Sequence, residues 1–136
     1  MPIKDTYTVA IEKQVNWFTA AGASAGDYDC RLFLADDAYE VVWAGEMHQT
    51  AGSSTTASVD ILKVTAAQAR ASGVSVLASV FDLSQAANTI QTRTGSTLTA
   101  TAANRKLAAG DSLAANNAGT LTAVDAVALQ VILRKI

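Results

Sequence analysis

The chain has few of the residues that carry enzyme chemistry. Its 136 residues include one cysteine, one histidine and one proline. A lone Cys30 excludes an intrachain disulfide, which agrees with a reducing compartment. His48 has no second ligand or neighbouring nucleophile at a useful spacing, as metal binding or nucleophilic catalysis would require. We predict that His48 lies at a strand end on a partly exposed face and that Cys30 is a small buried filler.

Charged residues are also scarce. They make up 16% of the chain, with a net charge of −2, against about 25% in a typical soluble domain. No basic run exceeds two residues, as in Arg134-Lys135, whereas nucleic-acid binding needs several Lys or Arg side chains on one face. We therefore expect no direct nucleic-acid partner. A small, uncharged surface suits packing against neighbouring subunits better than it suits a highly soluble monomer.

Long apolar runs are missing as well. None approaches the 18 or more residues that span a bilayer, so we expect no membrane partner. The first five residues, Met1 to Asp5, have no apolar core of a signal peptide. The expectation is that the protein folds in the cytoplasm where it is made.

What the chain does contain is short stretches of alternating side chains, separated by Gly, Asn, Ser and Thr at intervals of roughly 8–15 residues. Such alternation predicts half-buried strands. In strand 39–48, Tyr39, Val41, Trp43, Gly45 and Met47 would share one face, and Glu40, Val42, Ala44, Glu46 and His48 the other. The predicted strands are 7–11, 15–18, 31–34, 39–48, 58–64, 74–77, 79–83, 90–94, 97–101, 112–114 and 126–136.

The breaks between these strands include two expected turns and one expected helical turn. Gly95-Ser96 predicts a hairpin, and residues 116–119 predict a tight turn. Thr65 is a plausible N-cap for a helical turn near 66–71, with Gly73 as its stop. The sequence therefore predicts an all-β fold, with residues 1–136 forming a single antiparallel β-sandwich domain that is jelly-roll-like.

The remaining candidate sites are weak. Acids at 27, 29, 36 and 37 lack the calcium-loop pattern and are expected to cap turns. Trp17, Phe18 and Trp43 could form a stacking platform for a sugar or a base, although large aromatics at strand spacing more often form core. No glycine belongs to a phosphate-binding pattern. We predict no catalytic residue, no cofactor and no metal, and therefore a protein that is not an enzyme.

Several segments resemble one family. They are Y-E-V-V-W-A-G-E-M-H-Q-T-A-G-S at 39–53, S-V-D-I-L-K-V-T at 58–65, A-S-G-V-S-V-L-A-S at 71–79 and N-R-K-L-A-A-G-D-S-L-A at 104–114. In order and character they resemble small capsid proteins of tailed bacteriophages, of the head decoration or cement type, over about residues 5 to 136. Proteins of this family often have a jelly-roll-like β-sandwich.

The resemblance implies a structural virion protein with no catalytic residue to carry over. It implies a homotrimer on the outer capsid surface, at local three-fold positions. There the trimer would bind the major capsid protein and stabilise the shell against internal DNA pressure. We expect residues 1–5 to be an extended arm that contacts the shell, because terminal segments often become ordered only with a partner. The arm residues are Met1, Pro2, Ile3, Lys4 and Asp5.

Two other functions stay open from the residues. A head-fibre or receptor- and glycan-binding β-module would present exposed aromatics from Trp17, Trp43 or Tyr28 in a concave patch. A bacterial microcompartment-like shell component would more naturally alternate helices with strands, a pattern that this sequence does not show.

Overall fold

The computed structural model describes residues 12–19 and 28–136. Within them, ten strands form two antiparallel five-stranded sheets, and one large cluster of buried apolar side chains draws on both. The predicted all-β sandwich is confirmed. The strands are β1 Glu12–Phe18, β2 Arg31–Leu34, β3 Tyr39–Thr50, β4 Ser58–Val64, β5 Val74–Ser75, β6 Phe81–Asp82, β7 Gln91–Thr94, β8 Lys106–Leu107, β9 Ser112–Ala118 and β10 Asp125–Lys135.

The chain passes repeatedly between the two sheets. Sheet A has the order β1-β10-β3-β7, with β8 also paired to β3, and sheet B has the order β2-β9-β4-β5, with β6 also paired to β4. Strands adjacent in sequence therefore mostly lie in opposite sheets, as the crossing connections of a jelly roll require. This arrangement places β10, the last strand, in the middle of sheet A.

In strand β10, buried apolar side chains alternate with partly exposed ones, as expected of a half-buried strand. Val127, Leu129, Val131 and Leu133 are all at most 2% exposed, as the predicted alternation requires. The residues between them lie on the outer face and are half-buried. Burying a Val or Leu side chain contributes about 1.5–3 kcal/mol, so this strand anchors sheet A to the core.

A bulge in β3 changes which of its side chains face the core. Opposite β10, Val41 pairs with Leu133 but Trp43 pairs with Ile132, so Val42 is an extra residue. An extra residue shifts the alternation by one position. Tyr39 and Val41 are buried before the bulge, whereas Ala44, Glu46 and His48 are buried after it. Trp43, Gly45 and Met47 therefore do not share the face of Tyr39 and Val41, as the alternation predicted, but lie on the opposite one.

The segment 65–73 covers part of the outer face of sheet B. It packs over a second apolar cluster made by Leu62, Val64 and Ala114, and Arg70 there donates to the carbonyl of Ala115 and the side chain of Asn116. The helical turn expected near 66–71 is present as a 3-10 turn over Arg70–Ser72, with Gly73 at its C-terminal end as predicted. Its N-cap residue is Ala69, so the prediction of Thr65 as the N-cap is wrong.

Two other local expectations are wrong. Gly95-Ser96 does not close a hairpin: Gly95–Thr97 is a 3-10 turn closed by Thr94 and Thr97, and β7 pairs with β3. Asn116 and Asn117 are not in a turn, because they pair with Asp60 and Val59 of β4. At Asn116-Asn117, pairing with a distant strand outweighs the local turn preference; at Gly95 a turn forms, but the strand before it pairs with β3.

One helix was not predicted, and some expectations cannot be compared. The short helix α1, Ala102–Arg105, occupies part of the connection between β7 and β8. The predicted strand 7–11 lies outside the described residues.

Two glycines with positive φ allow a matched test of this fold. Gly119 has a φ of 74°, and an added Cβ would lie 2.0 Å from the carbonyl oxygen of Thr56. Gly95 has a φ of 52°, with nothing within 4 Å of an added Cβ. We expect Gly95→Ala to lower the unfolding free energy by about 1 kcal/mol, from backbone strain alone.

Gly119→Ala adds a steric clash to that strain, and we expect a loss of at least about 3 kcal/mol. Urea denaturation followed by circular dichroism measures both values. Equal losses for the two variants would show that the Gly119–Thr56 approach is not as close as described.

Candidate interaction surface

The outer face of sheet A consists of three rows of side chains that run across its strands. The pairing of β1, β10, β3 and β7 fixes these rows. The first row is Gln14, Ile132, Trp43 and Thr94; the second is Asn16, Gln130, Gly45 and Thr92; the third is Phe18, Ala128 and Met47. We call these eleven residues the row face.

Trp43 lies flat on the row face because Gly45 leaves room for it. A Cβ at Gly45 would lie 2.3 Å from a carbon of the Trp43 ring. The indole therefore covers the middle row instead of projecting from the sheet. Beside it, the amide of Gln130 donates to Asn16 at 2.8 Å.

Exposed apolar side chains gather at one end of the row face. Phe18 is 69% exposed and Met47 is 44% exposed, and Ile90, which directly precedes β7, is 60% exposed. With Trp43 they line a groove of about 180 Å³. Apolar side chains concentrated in this way on a surface mark an interaction site.

The row face carries no charged side chain, and charged groups lie outside it. At one end of sheet A, Arg134 contacts Glu40 at 3.2 Å. At the other end, Asp125 pairs with Thr50. Arg93 belongs to β7, but its guanidinium donates to the carbonyls of Ser79 and Val80 at the sheet edge. The combination is an uncharged surface with a charged periphery.

Beneath the row face, β3 carries a buried polar network. The side chains of Glu46 and His48 are both 0% exposed. His48 Nδ1 lies 2.8 Å from Glu46 Oε1, and His48 Nε2 lies 2.9 Å from the Gln85 carbonyl oxygen. Gln91 Nε2 donates to Glu46 Oε2 and to the Asp82 carbonyl, both at 2.7 Å. These bonds connect β3 to the segment between β6 and β7.

The geometry fixes the proton count of the buried pair. A carbonyl oxygen only accepts, so His48 Nε2 carries a hydrogen, and a second hydrogen lies between Nδ1 and Glu46 Oε1. Whichever of those two atoms holds it, the pair has no net charge. Burial raises the pKa of Glu46 above its ordinary value, although hydrogen bonds from His48 and Gln91 oppose the rise.

The network is structural, and it corrects the expectation for His48. We predicted a partly exposed histidine, but the bulge in β3 turns His48 into the core, where it is 1% exposed. Both ring nitrogens are engaged within the protein, and neither side chain is exposed to a substrate. Sequence alternation alone placed Glu46 and His48 on one face correctly, but it could not show that this face is the inner one.

The other candidate residues that the structure describes also make contacts within the protein. Cys30 is half-buried against the main core, and burial raises the pKa of its thiol, which disfavours the nucleophilic thiolate. Three of the four clustered acids pair with cations: Asp36 with Lys13, Asp37 with Lys135, and Asp29 with Arg70. The fourth, at position 27, lies outside the described residues.

The described residues contain no group of three His, Cys, Asp or Glu side chains that could hold a metal ion. Among the helices of the same residues, none has the length and apolar character to cross a membrane.

Trp17, Phe18 and Trp43, which were considered as a stacking platform for a sugar or a base, do not all lie together in the structure. Phe18 and Trp43 line the same groove on the row face. Trp17 packs against the core and meets Tyr28 edge-to-face at a centroid distance of 6.3 Å. Tyr28 itself is 1% exposed. A glycan-stacking patch built from Trp17, Trp43 and Tyr28 is therefore not present.

The expected capsid-contact residues, Met1 to Asp5, lie outside the described residues, so the structure does not place them. The row face was not predicted as a site. In the sequence, the alternate residues of 14–18 and 128–132 that face outward are uncharged, and this pattern could have indicated the surface. In β3 the bulge interrupts the corresponding pattern.

Comparison with solved structures shows a shared fold. A chain in the capsid of Ralstonia phage GP4 matches with a TM-score of 0.60 and 18% identity, over 99% of this chain and 90% of that one. A chain of Bacillus endospore appendages, described as a novel family of disulfide-linked pili, matches at 15% identity over 94% and 88% of the two chains. Its TM-score of 0.36 supports no argument.

The sequence matches no protein-family model, and it shows no significant similarity to a curated protein. The comparisons with known proteins thus show a shared fold.

The buried pair provides a test of the network. Glu46→Ala or His48→Ala leaves its partner buried without its hydrogen bond, and we expect each to lower the unfolding free energy by about 3–5 kcal/mol. Glu46→Gln is the matched control, because its amide can donate to His48 Nδ1 while its carbonyl accepts from Gln91. We expect Glu46→Gln to stay within about 1.5 kcal/mol of the wild type at neutral pH. Urea denaturation measures all three, and equal losses would contradict the network.

The raised pKa of Glu46 predicts a pH dependence. A carboxyl whose folded pKa exceeds its unfolded value stabilises the protein fully below the unfolded value, near 4.5, and this contribution is lost as pH rises through the folded pKa. The amide of Glu46→Gln does not titrate. From pH 4.5 to pH 8, we therefore expect wild-type stability to fall relative to that of Glu46→Gln. A difference that stays constant across this range would refute the raised pKa.

Proposed function

We propose that this protein is a structural component of a tailed-bacteriophage virion, acting as a decoration or cement protein of the capsid. One observation carries the proposal: almost the whole chain shares its fold with a chain in the capsid of Ralstonia phage GP4. The resemblance of the strand and turn segments to the decoration family supports it from the sequence side.

The distribution of chemistry in the molecule supports a structural role over a catalytic one. His48 and Glu46 are buried and bonded to each other, to the Gln85 carbonyl and to Gln91, and burial raises the pKa of the Cys30 thiol. The surface feature that stands out is instead the uncharged row face. Such a surface suits contact with another protein.

In this proposal the protein is a homotrimer on the outer capsid surface, at local three-fold positions. Each trimer would bridge neighbouring copies of the major capsid protein and oppose internal DNA pressure. Three contacts on one rigid trimer raise the effective concentration of each contact, so weak single contacts yield tight binding.

The proposed shell contact is the arm Met1 to Asp5. The first described strand, β1, is an edge strand of sheet A and begins at Glu12. The six residues between the arm and Glu12 could span up to about 20 Å when extended. That reach would allow the arm to contact a shell subunit beside the sandwich.

The test is binding to purified phage heads that lack decoration protein. We expect saturable co-sedimentation of the wild-type protein with expanded heads, and greater resistance of the decorated heads to heat. Heads that take up no protein at any concentration would refute the proposed function.

Two further proteins test the arm. One lacks residues 1–5, and in the other a Gly-Ser sequence of equal length replaces them. We expect both to bind heads at least tenfold more weakly than the wild type, because both lose the same side chains. Unchanged binding of both would exclude the arm as the contact while leaving the decoration role in place.

A further inference from the structure

We propose that the Glu46–His48 pair is a pH-sensitive switch for the segment 84–90. The segment is held against β3 while the pair carries two hydrogens, and it is released when the pair loses one. The proposal is independent of the decoration role, since it needs neither a shell nor a second copy of the chain. It rests on the hydrogen bonds around His48 and on the exposure of the segment.

The segment 84–90 depends on His48 for its attachment to β3. None of its residues is buried, so no apolar side chain anchors it in the core. The Gln85 carbonyl accepts a hydrogen bond from His48 Nε2 at 2.9 Å, and the backbone N–H of Asn88 donates to the His48 carbonyl at 2.8 Å. Segments with few buried contacts open at the lowest free energy, so the loss of one of these bonds is enough to favour release.

With two hydrogens, the pair satisfies both of its neighbours. His48 Nε2 carries one hydrogen and donates it to the Gln85 carbonyl, while the second lies between Nδ1 and Glu46 Oε1. A carbonyl oxygen only accepts. The bond that holds Gln85 therefore exists only while Nε2 carries a hydrogen.

Loss of one hydrogen changes which ring nitrogen donates. A neutral imidazole has one N–H and one bare nitrogen, and Glu46 is then an ionised carboxylate. The remaining hydrogen lies on Nδ1, because a hydrogen bond to a carboxylate is about twice as strong as one to a neutral carbonyl. Nε2 is left bare, with its lone pair facing the Gln85 carbonyl oxygen at 2.9 Å. Two acceptors at this distance repel each other, so the bond that held the segment becomes a repulsive contact.

Two charged side chains on neighbouring strands act on the pair. Arg93 of β7 favours the ionised form of Glu46. Asp82 of β6 interacts with His48, and hydrogen bonds from the Ser84 side chain lower the pKa of Asp82 below its ordinary value. Asp82 and Arg93 therefore keep their charges while the pair titrates, and neither reverses the direction of the switch.

Strand β10 lies beside the pair and adds no charge directly opposite it. Leu129 pairs with Glu46, and Val127 pairs with His48. Asp125 is two positions further along β10, opposite Thr50.

The segment is attached at low pH and released as the pH rises. Burial has the largest effect on the pKa of Glu46 and raises it. The contribution of such a group to stability is present below its unfolded pKa and is lost as the pH rises through the folded value. Ile90 lines the groove on the row face with Trp43 and Phe18, so release of the segment removes one wall of that groove. The number of hydrogens in the core thereby controls the shape of the outer surface.

The ring nitrogens of His48 report the switch directly, because the chain has no other histidine. In a protein labelled with ¹⁵N, NMR distinguishes a ring nitrogen that carries a hydrogen from a bare one. Between pH 5 and pH 9, we expect Nε2 of the wild type to lose its hydrogen while Nδ1 carries one.

Glu46→Gln is the matched control, because its side chain does not titrate. Its amide donates to His48 Nδ1 and its carbonyl accepts from Gln91, which leaves the hydrogen of the ring on Nε2. We expect Nε2 of this variant to keep its hydrogen over the same pH range.

Amide hydrogen exchange measures the release. After correction for the intrinsic pH dependence of exchange, we expect the protection of the Asn88 N–H to fall at least tenfold from pH 5 to pH 9 in the wild type. In Glu46→Gln it should change less than about twofold. The internal reference is Val76, whose N–H donates to the Ile61 carbonyl of sheet B, and we expect it to stay protected in both proteins.

The switch is refuted if Nε2 of the wild type keeps its hydrogen throughout, or if Nε2 loses it while Asn88 stays protected. It is also refuted if Glu46→Gln releases Asn88 equally, or if Val76 loses its protection together with Asn88, since the whole domain then opens. If Glu46→Gln does not fold, the wild-type spectra and exchange rates decide the matter. None of these measurements uses phage heads, so failure of the switch and failure of the decoration role are observed separately.

Discussion

The pairing of β3 with β10, interrupted by one extra residue at Val42, is the constraint on which the rest of the structure depends. Ten residue pairs join the two strands, and β10 brings a row of buried Val and Leu side chains into the core. The bulge shifts the alternation of β3 by one residue. Glu46 and His48 therefore face inward, and Trp43 and Met47 face outward.

The inward-facing Glu46 and His48 need hydrogen-bond partners, and the outward-facing Trp43 needs space on the sheet surface. Two titratable side chains in a sandwich core are tolerated because each finds a partner: His48 lies between Glu46 and the Gln85 carbonyl, and Gln91 satisfies the second carboxylate oxygen. On the outer side, the Trp43 ring is accommodated because Gly45 has no side chain. One register shift thus places a buried polar network and an uncharged outer surface on opposite sides of the same strand.

The buried network also bears on the outer surface of the same sheet. Hydrogen bonds of the buried network hold the segment 82–91 against β3. A further bond in the same place runs from the backbone N–H of Asn88 to the backbone carbonyl of His48. That segment in turn positions Ile90 beside the groove on the row face. The polar groups in the interior therefore help to position the apolar groups on the outer face.

The sequence by itself determined the all-β class, the strand over 31–34, the strand over 58–64 and the buried face of β10. Each of these depends on local alternation between two breaks, and alternation needs no knowledge of the partner strand. The sequence also determined the scarcity of charge that makes a neutral surface possible. It did not determine that Asn116 and Asn117 extend a strand, because their turn preference is outweighed only by pairing with β4.

The tertiary structure alone decided which face of β3 is buried and what lies beside it. A bulge is defined by the register between two strands that are some 90 residues apart in sequence, and no local pattern contains that register. For the same reason, Glu46, His48 and Gln91 could not be identified as one network, nor Phe18, Trp43 and Ala128 as one surface. These groups come from strands that meet only after the chain has crossed between the two sheets.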